Sequence, residues 1–272
     1  MITIITVCFN EENRIDETIR SVYEQSYTDM EYIVKEGASA DGTLDRVMKW
    51  EEAFSKKGIP FKVISGSDKG IYDAMNQAVQ AAEGTFVNFM NGGDSFLTPD
   101  VLWKIFKDRD LSSVDLLYGD TVEEEFGELH YFRKCPGLIT ERMPFSHQSV
   151  FVRRELLLKH PFRMEFSIAA DYDFLLTLHE KGCVFKDSGV AVAKVSKDGT
   201  SSVRLKDTYL ETLKLRRSHS LPVPEGASLR KKLFILDLKQ FGMDHFPKAL
   251  KYLIRKVQRK LRGQKRYDVQ NT

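Results

Sequence analysis

The sequence predicts an α/β fold with a mostly parallel central sheet flanked by helices, followed by basic helices at the C-terminus. In the first hundred residues, short apolar runs alternate with helical patterns of about 12 residues, which indicates right-handed βαβ units. After Leu116, strand-like runs follow one another without regular helices between them, which predicts a mixed sheet with antiparallel additions. From Ser228 onward the chain becomes basic and helical.

Length and composition favour one globular domain with an appendage. The 272 residues can bury one sizeable core, and 41 Lys and Arg residues nearly balance 39 acidic ones, so the net charge of +2 indicates no class of partner. The opening MITIITVCF lacks a basic start and a small-residue cleavage site, which predicts a first strand and no signal peptide. Cys8, Cys135 and Cys183 lack metal-ligand spacing, and no apolar run reaches about 18 residues, so we expect a reduced cytoplasmic protein without a spanning helix.

Four strands are predicted in the first hundred residues, at 2–9, 30–35, 61–65 and 85–90, because each run is rich in β-branched and aromatic residues. Apolar residues at helical spacing predict a helix after each strand. The four faces comprise Ile15, Ile19, Val22 and Tyr23; Leu44, Val47, Met48 and Phe54; Ile71, Ala74, Met75, Ala78, Val79 and Ala82; and Val101, Leu102, Ile105 and Phe106. Gly84 is placed to end the third helix, while Thr98 and Pro99 are placed to cap and begin the fourth.

The second half has a different pattern. Strands are predicted at 116–122, 129–133 and 149–153, a helical run within 168–178, two short strands within 184–195, and a loop at 197–202. We therefore expect an α/β domain over residues 1–205, with a nucleotide-binding half at 1–100 and an acceptor half at 101–205. Residues 206–272 are predicted to form a basic helical extension.

Four acidic residues end or follow predicted strands: Glu36, Asp68, Asp94 and Asp171. Each alone is more often a cap or turn residue. Ligands of open α/β sheets bind beyond the carboxyl ends of the strands, so four acids in that position favour a shared binding crevice. The turn 91–94 is the clearest case, since two glycines and a carboxylate end a buried strand there.

Six motifs in order resemble the family 2 glycosyltransferases of the GT-A fold, of the bacterial surface-polysaccharide type. They are IITVCFNE (4–11), EGASADGT (36–43), SDKGIYDAMNQAV (67–79), NFMNGGDSF (88–96), SHQSVFVRREL (146–156) and AADYDF (169–174), and the resemblance covers about residues 1–205. It implies transfer of a sugar from a nucleoside-diphosphate sugar to a hydroxyl acceptor, with inversion at the anomeric carbon. No QxxRW-like segment occurs, which predicts a non-processive enzyme.

The resemblance also implies a nucleotide-sugar site. Its expected residues are Thr6, Phe9, Asn10, Glu11, Glu36, Asp68, Lys69, Asp73, Asn76, Asn91 and Gly92. Glu36 stands where the family has Asp, so a longer side chain must fit beside the nucleoside. Asp94 matches the last acid of the family's DxDD-like segment, and Asn91 and Gly93 stand where acids often occur, so Asp94 is expected to be the lone carboxylate on a Mn²⁺ or Mg²⁺ ion.

Asp171 matches the family's general base, although Ala170 replaces the usual Glu. Asp173 is two residues away, so its side chain would point to the same side as that of Asp171 on a strand but not on a helix. We place Asp173 with His147 in the acceptor or sugar pocket. For His147 a structural role is an equal alternative.

The basic C-terminal helices leave two interpretations open. One face carries Phe246, Leu250, Leu253, Ile254, Val257 and Leu261, and the other carries Lys248, Lys251, Arg255, Lys256, Arg259 and Lys260. Such a helix either binds an anionic membrane surface, at the inner face of the membrane, or covers its own domain. A membrane surface suits a lipid-linked saccharide acceptor. Nucleic acid is not expected as a partner, since no aromatic stacking pattern accompanies the basic residues.

Two other functions are alternatives to the transfer of a sugar from a UDP-sugar. A nucleotidyltransferase has a glycine-rich basic loop after its first strand, where this chain has Asn10, Glu11 and Glu12. A catalytically silent nucleotide-sugar scaffold at a membrane would share every binding feature. Hydrolysis of the donor separates that scaffold from an enzyme.

Overall fold

The computed structural model describes residues 1–196, 204–261 and 267, and the predicted loop at 197–202 lies outside them. Nine strands in these residues form one sheet, with the order β3-β2-β1-β4-β8-β6-β9-β5, and β7 pairs with β6. The strands are β1 Ile2–Cys8, β2 Met30–Glu36, β3 Phe61–Ser65, β4 Phe86–Phe89, β5 Ser95–Phe96, β6 Leu116–Glu125, β7 Glu128–Phe132, β8 Val150–Arg153 and β9 Phe185–Ser196. The predicted α/β class is confirmed.

Strands β1 to β4 are parallel, so their carboxyl ends lie along one edge of the sheet. The register aligns Cys8 with Glu36 and Glu36 with Ser65 at that edge. Strand β8 continues the sheet antiparallel to β4, and β6 is antiparallel to β8 and parallel to β9. The antiparallel additions predicted for the second half are therefore present.

Helices cover both faces of the sheet. They are α1 Ile15–Tyr23, α2 Thr43–Met48, α3 Glu51–Lys57, α4 Ile71–Ala81, α5 Val101–Phe106, α6 Arg154–Lys159, α7 Ala170–Glu180, α8 Leu205–Ser218, α9 Gly226–His245 and α10 Lys248–Leu261. Helices α1, α2, α3 and α5 share one apolar core, and α4, α6 and α7 share the other. None of these helices is both long enough and apolar enough to cross a membrane.

Two sequence predictions about element boundaries are wrong. The two short strands expected within 184–195 are one strand, because Gly189 at φ 74° marks an irregularity in the pairing with β6 and not a turn between strands. Gly119 of β6 allows this, since a Cβ there would lie 2.4 Å from the Val190 carbonyl oxygen. Helix α5 begins at Val101, two residues later than expected, and the Thr98 hydroxyl donates to the Asp100 carboxylate.

The predicted extension begins with a helix that packs into the α/β unit. Leu213 and Leu215 of α8 are buried. The Glu211 carboxylate accepts hydrogen bonds from the backbone N–H groups of Ile168 and Ala169, at 2.6 and 2.8 Å. Helix α8 therefore holds the segment that leads into α7.

Replacing buried Glu31 with alanine is expected to lower the free energy of unfolding by about 3 kcal/mol. The Glu31 carboxylate accepts from the Thr3 hydroxyl at 2.7 Å and from the backbone N–H groups of Glu83 and Gly84, which join β2 to β1 and to the start of β4. Without the carboxylate the Thr3 hydroxyl and the Glu83 N–H lose their acceptor and Lys62 loses one of its two carboxylate partners, while the Gly84 N–H keeps the Thr3 hydroxyl oxygen at 2.9 Å. Urea denaturation measures the loss.

The pH dependence of this loss has a defined sign. Burial opposes ionisation of Glu31, but hydrogen bonds from Thr3, Glu83 and Gly84 outweigh it and lower the pKa of Glu31. A lowered folded-state pKa contributes stability above the unfolded value and loses it as pH falls through the folded value. The difference between wild type and Glu31→Ala should shrink in acid. Glu52→Ala, which breaks an exposed pair with Lys56, is the control and should change stability by less than about 0.5 kcal/mol.

Candidate active site

A cavity of about 440 Å³ lies beyond the carboxyl ends of β1 and β4. Its walls come from the turn after β4, the 3₁₀ turn His147–Ser149 and the first turn of α7. The polar residues in its lining include Glu11, Arg14, Asn91, Asp94, Glu123, His147, Gln148 and Asp171. Its volume is typical of sites for small ligands. We call it the central cavity.

The turn Asn91–Asp94 approaches the loop after β1 closely. The Gly92 N–H donates to the Val7 carbonyl at 3.0 Å, which ties the turn to β1. Gly93 has φ 91°, and a Cβ there would lie 3.0 Å from the guanidinium carbon of Arg14. Glycine at this position therefore permits both the backbone conformation and the approach of Arg14.

Asp94 points into the central cavity. Gln148 Nε2 donates to one carboxylate oxygen at 2.6 Å, and the Ser196 N–H lies 3.4 Å from the other. Burial raises the pKa of Asp94, and the hydrogen bond from Gln148 only partly offsets this effect. A nearby positive charge would therefore favour the ionised carboxylate strongly.

Asp171 lies in the first turn of α7 and also lines the central cavity. Its carboxylate accepts from the Tyr172 N–H at 2.8 Å, and the Tyr72 hydroxyl shares its proton between the Ile168 carbonyl at 2.8 Å and this carboxylate at 3.1 Å. His147 Nδ1 lies 3.2 Å from the other oxygen. The backbone of α7 and two side chains thus fix the orientation of this carboxylate.

His147 joins the two carboxylate regions. Its Nε2 lies 2.9 Å from Asn91 Nδ2, and an amide nitrogen can only donate. This pairing assigns Nε2 as acceptor and places the ring proton on Nδ1, directed at Asp171. A chain of contacts therefore runs from the β4 turn through His147 to α7.

The β4 turn offers two oxygen ligands for a hard cation. Asn91 is buried, and its Oδ1 has no hydrogen-bond partner among the described residues. The Asp94 carboxylate lies on the same turn, and oxygen ligands suit Mg²⁺ or Mn²⁺. Within the described part of the chain, no three His, Cys, Asp or Glu side chains are grouped to hold a metal. The turn therefore fits a cation that takes its other ligands from phosphate oxygens and water.

A second polar region lies beside the central cavity, at the ends of β1, β2 and β3. The Phe9 ring is 60% exposed. A Cβ on Gly37 would lie 3.2 Å from this ring and 3.0 Å from Asp68 Oδ2, so an aromatic face and a carboxylate meet across Gly37. An exposed ring can stack on a base, and a carboxylate can accept hydrogen bonds from a ribose.

Buried Lys35 positions Asp68. Its Nζ donates to the carbonyl oxygens of Glu36 and Gly66, at 2.8 and 2.5 Å, and lies 3.3 Å from Asp68 Oδ2. The Gly70 N–H holds the other carboxylate oxygen at 3.0 Å. Asp68 is therefore fixed before any ligand binds.

Glu36 organises the loop after β2. It is 1% exposed, and its carboxylate accepts from the N–H groups of Ala38 and Ser39 and from the Ser65 hydroxyl. Burial opposes ionisation, but these hydrogen bonds outweigh it and lower the pKa of Glu36. Its expected contact with the nucleoside stays a prediction.

The loop after β1 is attached to this same segment. The Asn10 side-chain oxygen accepts from the Ala40 N–H at 3.0 Å, and the Glu11 N–H donates to the Thr43 hydroxyl at 2.8 Å. The Glu11 carboxylate holds the Arg14 guanidinium through two hydrogen bonds of 2.9 and 3.0 Å. The loop therefore directs a guanidinium toward the β4 turn.

Three predicted ligand contacts do not fit the structure. Thr6 is fully buried and donates to the Met90 carbonyl, because its strand position points into the core. Asn76 exchanges two hydrogen bonds with the Phe162 backbone, which joins α4 to the segment after α6. Asp173 lies on a helix, so it points away from Asp171 and is buried in ion pairs with Arg163 and His219.

Two more predicted contacts, Lys69 before α4 and Asp73 in its first turn, lie outside the lining of the central cavity. Asp73 accepts from the Lys69 N–H at 2.9 Å and from Gln77 Nε2 at 3.0 Å, so it caps the helix. Lys69 is exposed. Ligand contacts by these two residues stay predictions.

Sequence reasoning missed Tyr72, Gln148, Arg14 and Lys35. Tyr72 occupies the apolar face of α4, and its hydroxyl became informative only when the fold placed Asp171 against it. Gln148 follows His147 in the motif 146–156, so its polar side chain next to a candidate site residue could have indicated a role in the site. No feature of the sequence indicated the role of Lys35. A lysine within a strand usually has its ammonium group in solvent, and the alternation of residues along the strand does not predict that this group is buried.

Comparisons with known proteins agree with this geometry. A sequence profile described as glycosyl transferase family 2 matches residues 3–161. The PGL/p-HBAD biosynthesis glycosyltransferase of Mycobacterium bovis BCG is 29% identical over 181 residues, which cover 64% of this chain and 68% of the relative. An uncharacterised glycosyltransferase of Mycobacterium tuberculosis is 30% identical over 192 residues, with 64% and 67% covered.

Solved structures share the fold. The crystal structure of S. aureus TarS 1-349 in complex with UDP-GlcNAc has a TM-score of 0.63 at 19% identity, covering 91% of this chain and 74% of that chain. The mannosyltransferase PcManGT from Pyrobaculum calidifontis, in complex with GDP-Man and Mn²⁺, has a TM-score of 0.61 at 18% identity, covering 88% and 69%. The predicted GT-A architecture is confirmed by this likeness.

Proposed function

The chain belongs to glycosyl transferase family 2, and we propose that it moves a sugar from a nucleoside-diphosphate sugar to a hydroxyl group of a lipid-linked saccharide, with inversion. The observation that carries this proposal is the placement of Asp94 and Asp171 on the walls of one cavity. A carboxylate at each wall suits a reaction in which one side holds a departing diphosphate and the other accepts a proton.

The donor would span the two polar regions. Phe9 and Asp68 offer a stacking surface and a ribose acceptor for the nucleoside, and the β4 turn lies beside them at the sheet edge. TarS and PcManGT have been crystallised with a UDP-sugar and a GDP-sugar, which supports a nucleoside diphosphate as the common part of the ligand. A uridine base remains our default, from family resemblance.

The reaction we propose is a single displacement. Asp171 takes the proton of the acceptor hydroxyl, the oxygen attacks the anomeric carbon, and the bond from that carbon to the diphosphate oxygen breaks. Mn²⁺ or Mg²⁺ bound by Asp94 and Asn91 would neutralise the charge that develops on the diphosphate. The guanidinium of Arg14, beside Gly93, adds positive charge on the same side.

His147 positions the base in this scheme, and its replacement by phenylalanine is expected to lower kcat about 10- to 100-fold while the donor KM changes little. The ring would keep its volume but lose the hydrogen bond to Asp171 and the link to Asn91. Steady-state kinetics separate kcat from KM. A variant that changes only KM, or only thermal stability, would show that His147 does not orient Asp171. His160→Phe, outside the cavity lining, is the control.

We also propose peripheral binding to the anionic cytoplasmic face of a membrane, in the synthesis of a cell-surface polysaccharide. Exposed apolar residues on α9 and α10 support it: Phe234, Ile235, Leu238, Phe241, Leu250, Leu253, Ile254 and Val257. Basic residues Lys251, Arg255 and Lys256 accompany them on α10. Apolar and cationic groups together match the chemistry of an anionic lipid surface.

The variant Phe241→Glu/Leu253→Glu is expected to weaken binding to vesicles of anionic lipid by about tenfold or more, since each change removes apolar burial and adds repulsion. Co-sedimentation with anionic and with zwitterionic vesicles measures it. Trp103→Glu removes another half-exposed aromatic side chain, on α5, and should bind like the wild type. Equal binding by all three proteins would refute the membrane proposal and leave the transferase proposal intact.

A screen of nucleotide sugars with and without Mn²⁺ tests the transferase function. A ligand that binds only the folded state raises the unfolding temperature, and slow hydrolysis of the bound sugar reports an active site. We expect at least one nucleoside-diphosphate sugar to stabilise the protein in the presence of Mn²⁺ and to be hydrolysed. If no nucleotide sugar does either, the proposed function is wrong.

A further inference from the structure

A second cavity, of about 610 Å³, lies between the α/β unit and the C-terminal helices, and we call it the side cavity. Its lining comes from the segment after the 3₁₀ turn Pro136–Leu138, from the start of α7, and from α8 and α9. The residues are Glu141, Arg142, Met143, Ile168, Ala169, Asp171, Tyr172, Thr208, Tyr209, Thr212, Leu213, Arg216, Pro222, Pro224, Ser228 and Lys232. Its volume would hold a small ligand.

The side cavity adjoins the central cavity at the base. Met143, Ile168 and Asp171 line both cavities. The Asp171 carboxylate is therefore at the junction between a cavity that contains the β4 turn and one that does not.

Most of the surface of the side cavity is apolar, and Glu141, Arg142, Arg216 and Lys232 add charged groups to its lining. The Arg216 guanidinium already has hydrogen-bond partners, since it donates to the carbonyl oxygens of Thr140, Glu141 and Pro222. Arg142 has only a contact of 3.7 Å with Cys135 Sγ, and the Lys232 ammonium lies 5.7 Å from the centre of the Tyr209 ring.

Within the described part of the chain, neither Arg142 nor Lys232 forms an ion pair with a carboxylate. Together with Arg216 they outnumber the two carboxylates of the lining, Glu141 and Asp171, so the cavity favours a ligand that is apolar and carries negative charge. A neutral, fully hydroxylated sugar would leave the apolar walls and both cations unmatched.

We propose that the side cavity is the acceptor site and that the acceptor is an amphiphile, with an apolar chain or ring system and a phosphate-type anion beside it. The apolar part would contact Tyr209, Leu213 and Pro224, the anion would pair with Lys232 and Arg142, and the hydroxyl would reach Asp171 through the junction. This inference rests on the proposed function, because Asp171 must be the base for the junction to matter.

The placement of α9 agrees with such a ligand. Lys232 faces the side cavity, and at about 100° per residue Phe234, Leu238 and Phe241 lie on the opposite side of the helix, where they are exposed. One helix would then contact both the acceptor and the surface that delivers it. Under this proposal, the C-terminal helices take part in recognition of the acceptor.

Binding of farnesyl phosphate to the full chain tests the proposal by isothermal titration calorimetry. Lys232→Glu should weaken binding at least tenfold, and Thr212→Trp, which fills the cavity from α8, should abolish it. Lys231→Glu makes the same charge change one residue away, outside the lining, and should stay within twofold of wild type. Farnesol should bind at least tenfold more weakly than farnesyl phosphate, and inorganic phosphate should not bind measurably.

Three results would overturn the proposal: no binding of farnesyl phosphate to the wild type, equal weakening by Lys231→Glu and Lys232→Glu, or inorganic phosphate binding as tightly as the amphiphile. Hydrolysis of the nucleotide sugar by Lys231→Glu, measured without amphiphile, should match that of the wild type, because Lys231 lies outside the lining of both cavities. Failure of the donor reaction in the wild type would instead reject the proposed function, so the two failures are distinguishable. Circular dichroism of Thr212→Trp tests whether this variant is folded.

Discussion

Asp171→Asn is expected to lower kcat for glycosyl transfer by about 10²- to 10⁴-fold while the affinity for the nucleotide sugar stays near that of the wild type. The amide has the size of the carboxylate, and its oxygen can still accept from the Tyr172 N–H and the Tyr72 hydroxyl, so the local fold should persist, while the contact of the second oxygen with His147 Nδ1 is lost. It cannot take the proton of an attacking hydroxyl. Single-turnover kinetics with saturating donor measure the chemical step.

Asp173→Asn is the matched control for this variant. Asp173 is on the same helix, two residues away, but it is buried against Arg163 and His219 and absent from the lining of both cavities. Its replacement should lower the unfolding temperature and leave kcat within about threefold, since it removes a buried ion pair and no catalytic group. Near-normal turnover by Asp171→Asn would remove Asp171 as the base.

The parallel half of the fold could be predicted because local sequence patterns mark its strands. Strand β3 was predicted at its observed bounds, and β1, β2 and β4 within two residues, since each is a short apolar run between polar turns. Strand β9 was not, because a Ser-Gly pair in the middle of a strand resembles a turn. Whether it is a turn or an irregularity depends on Gly119 of a strand about 70 residues earlier in the chain.

The candidate site was predictable in outline and not in detail. Parallel strands place Glu36, Asp68 and Asp94 along one edge, and the structure has this arrangement. Thr6 was placed in the site by family resemblance, but β1 is buried along its whole length with helices on both faces of the sheet, so its side chain is enclosed in the core. The side cavity could not be predicted, since it exists only where α8 and α9 fold back on the start of α7, through contacts such as that of Glu211 with Ile168.

Asp94→Asn is expected to weaken Mn²⁺-dependent binding of the nucleotide sugar by about 100-fold or more. The β4 turn offers one carboxylate and one unpartnered amide oxygen, so loss of the carboxylate removes the only anionic protein ligand that the turn supplies. Asn91→Ala removes a neutral ligand and the contact to His147, and should weaken binding by about tenfold. Calorimetric titration of the donor at fixed Mn²⁺ measures both.

The pH dependence gives the same prediction a second readout. Burial raises the pKa of Asp94 above its usual value near 3.8, so protons should compete with Mn²⁺ at a higher pH than for an exposed aspartate. Binding of Mn²⁺ and donor should therefore weaken as pH falls, and this loss should be absent in Asp94→Asn. Asp100→Asn, outside the cavity lining, should keep both the wild-type affinity and its pH profile. If Asp94→Asn kept both, Asp94 would not hold the cation, and the negative charge of the departing diphosphate would have to be neutralised by other groups, of which the Arg14 guanidinium already lies beside Gly93.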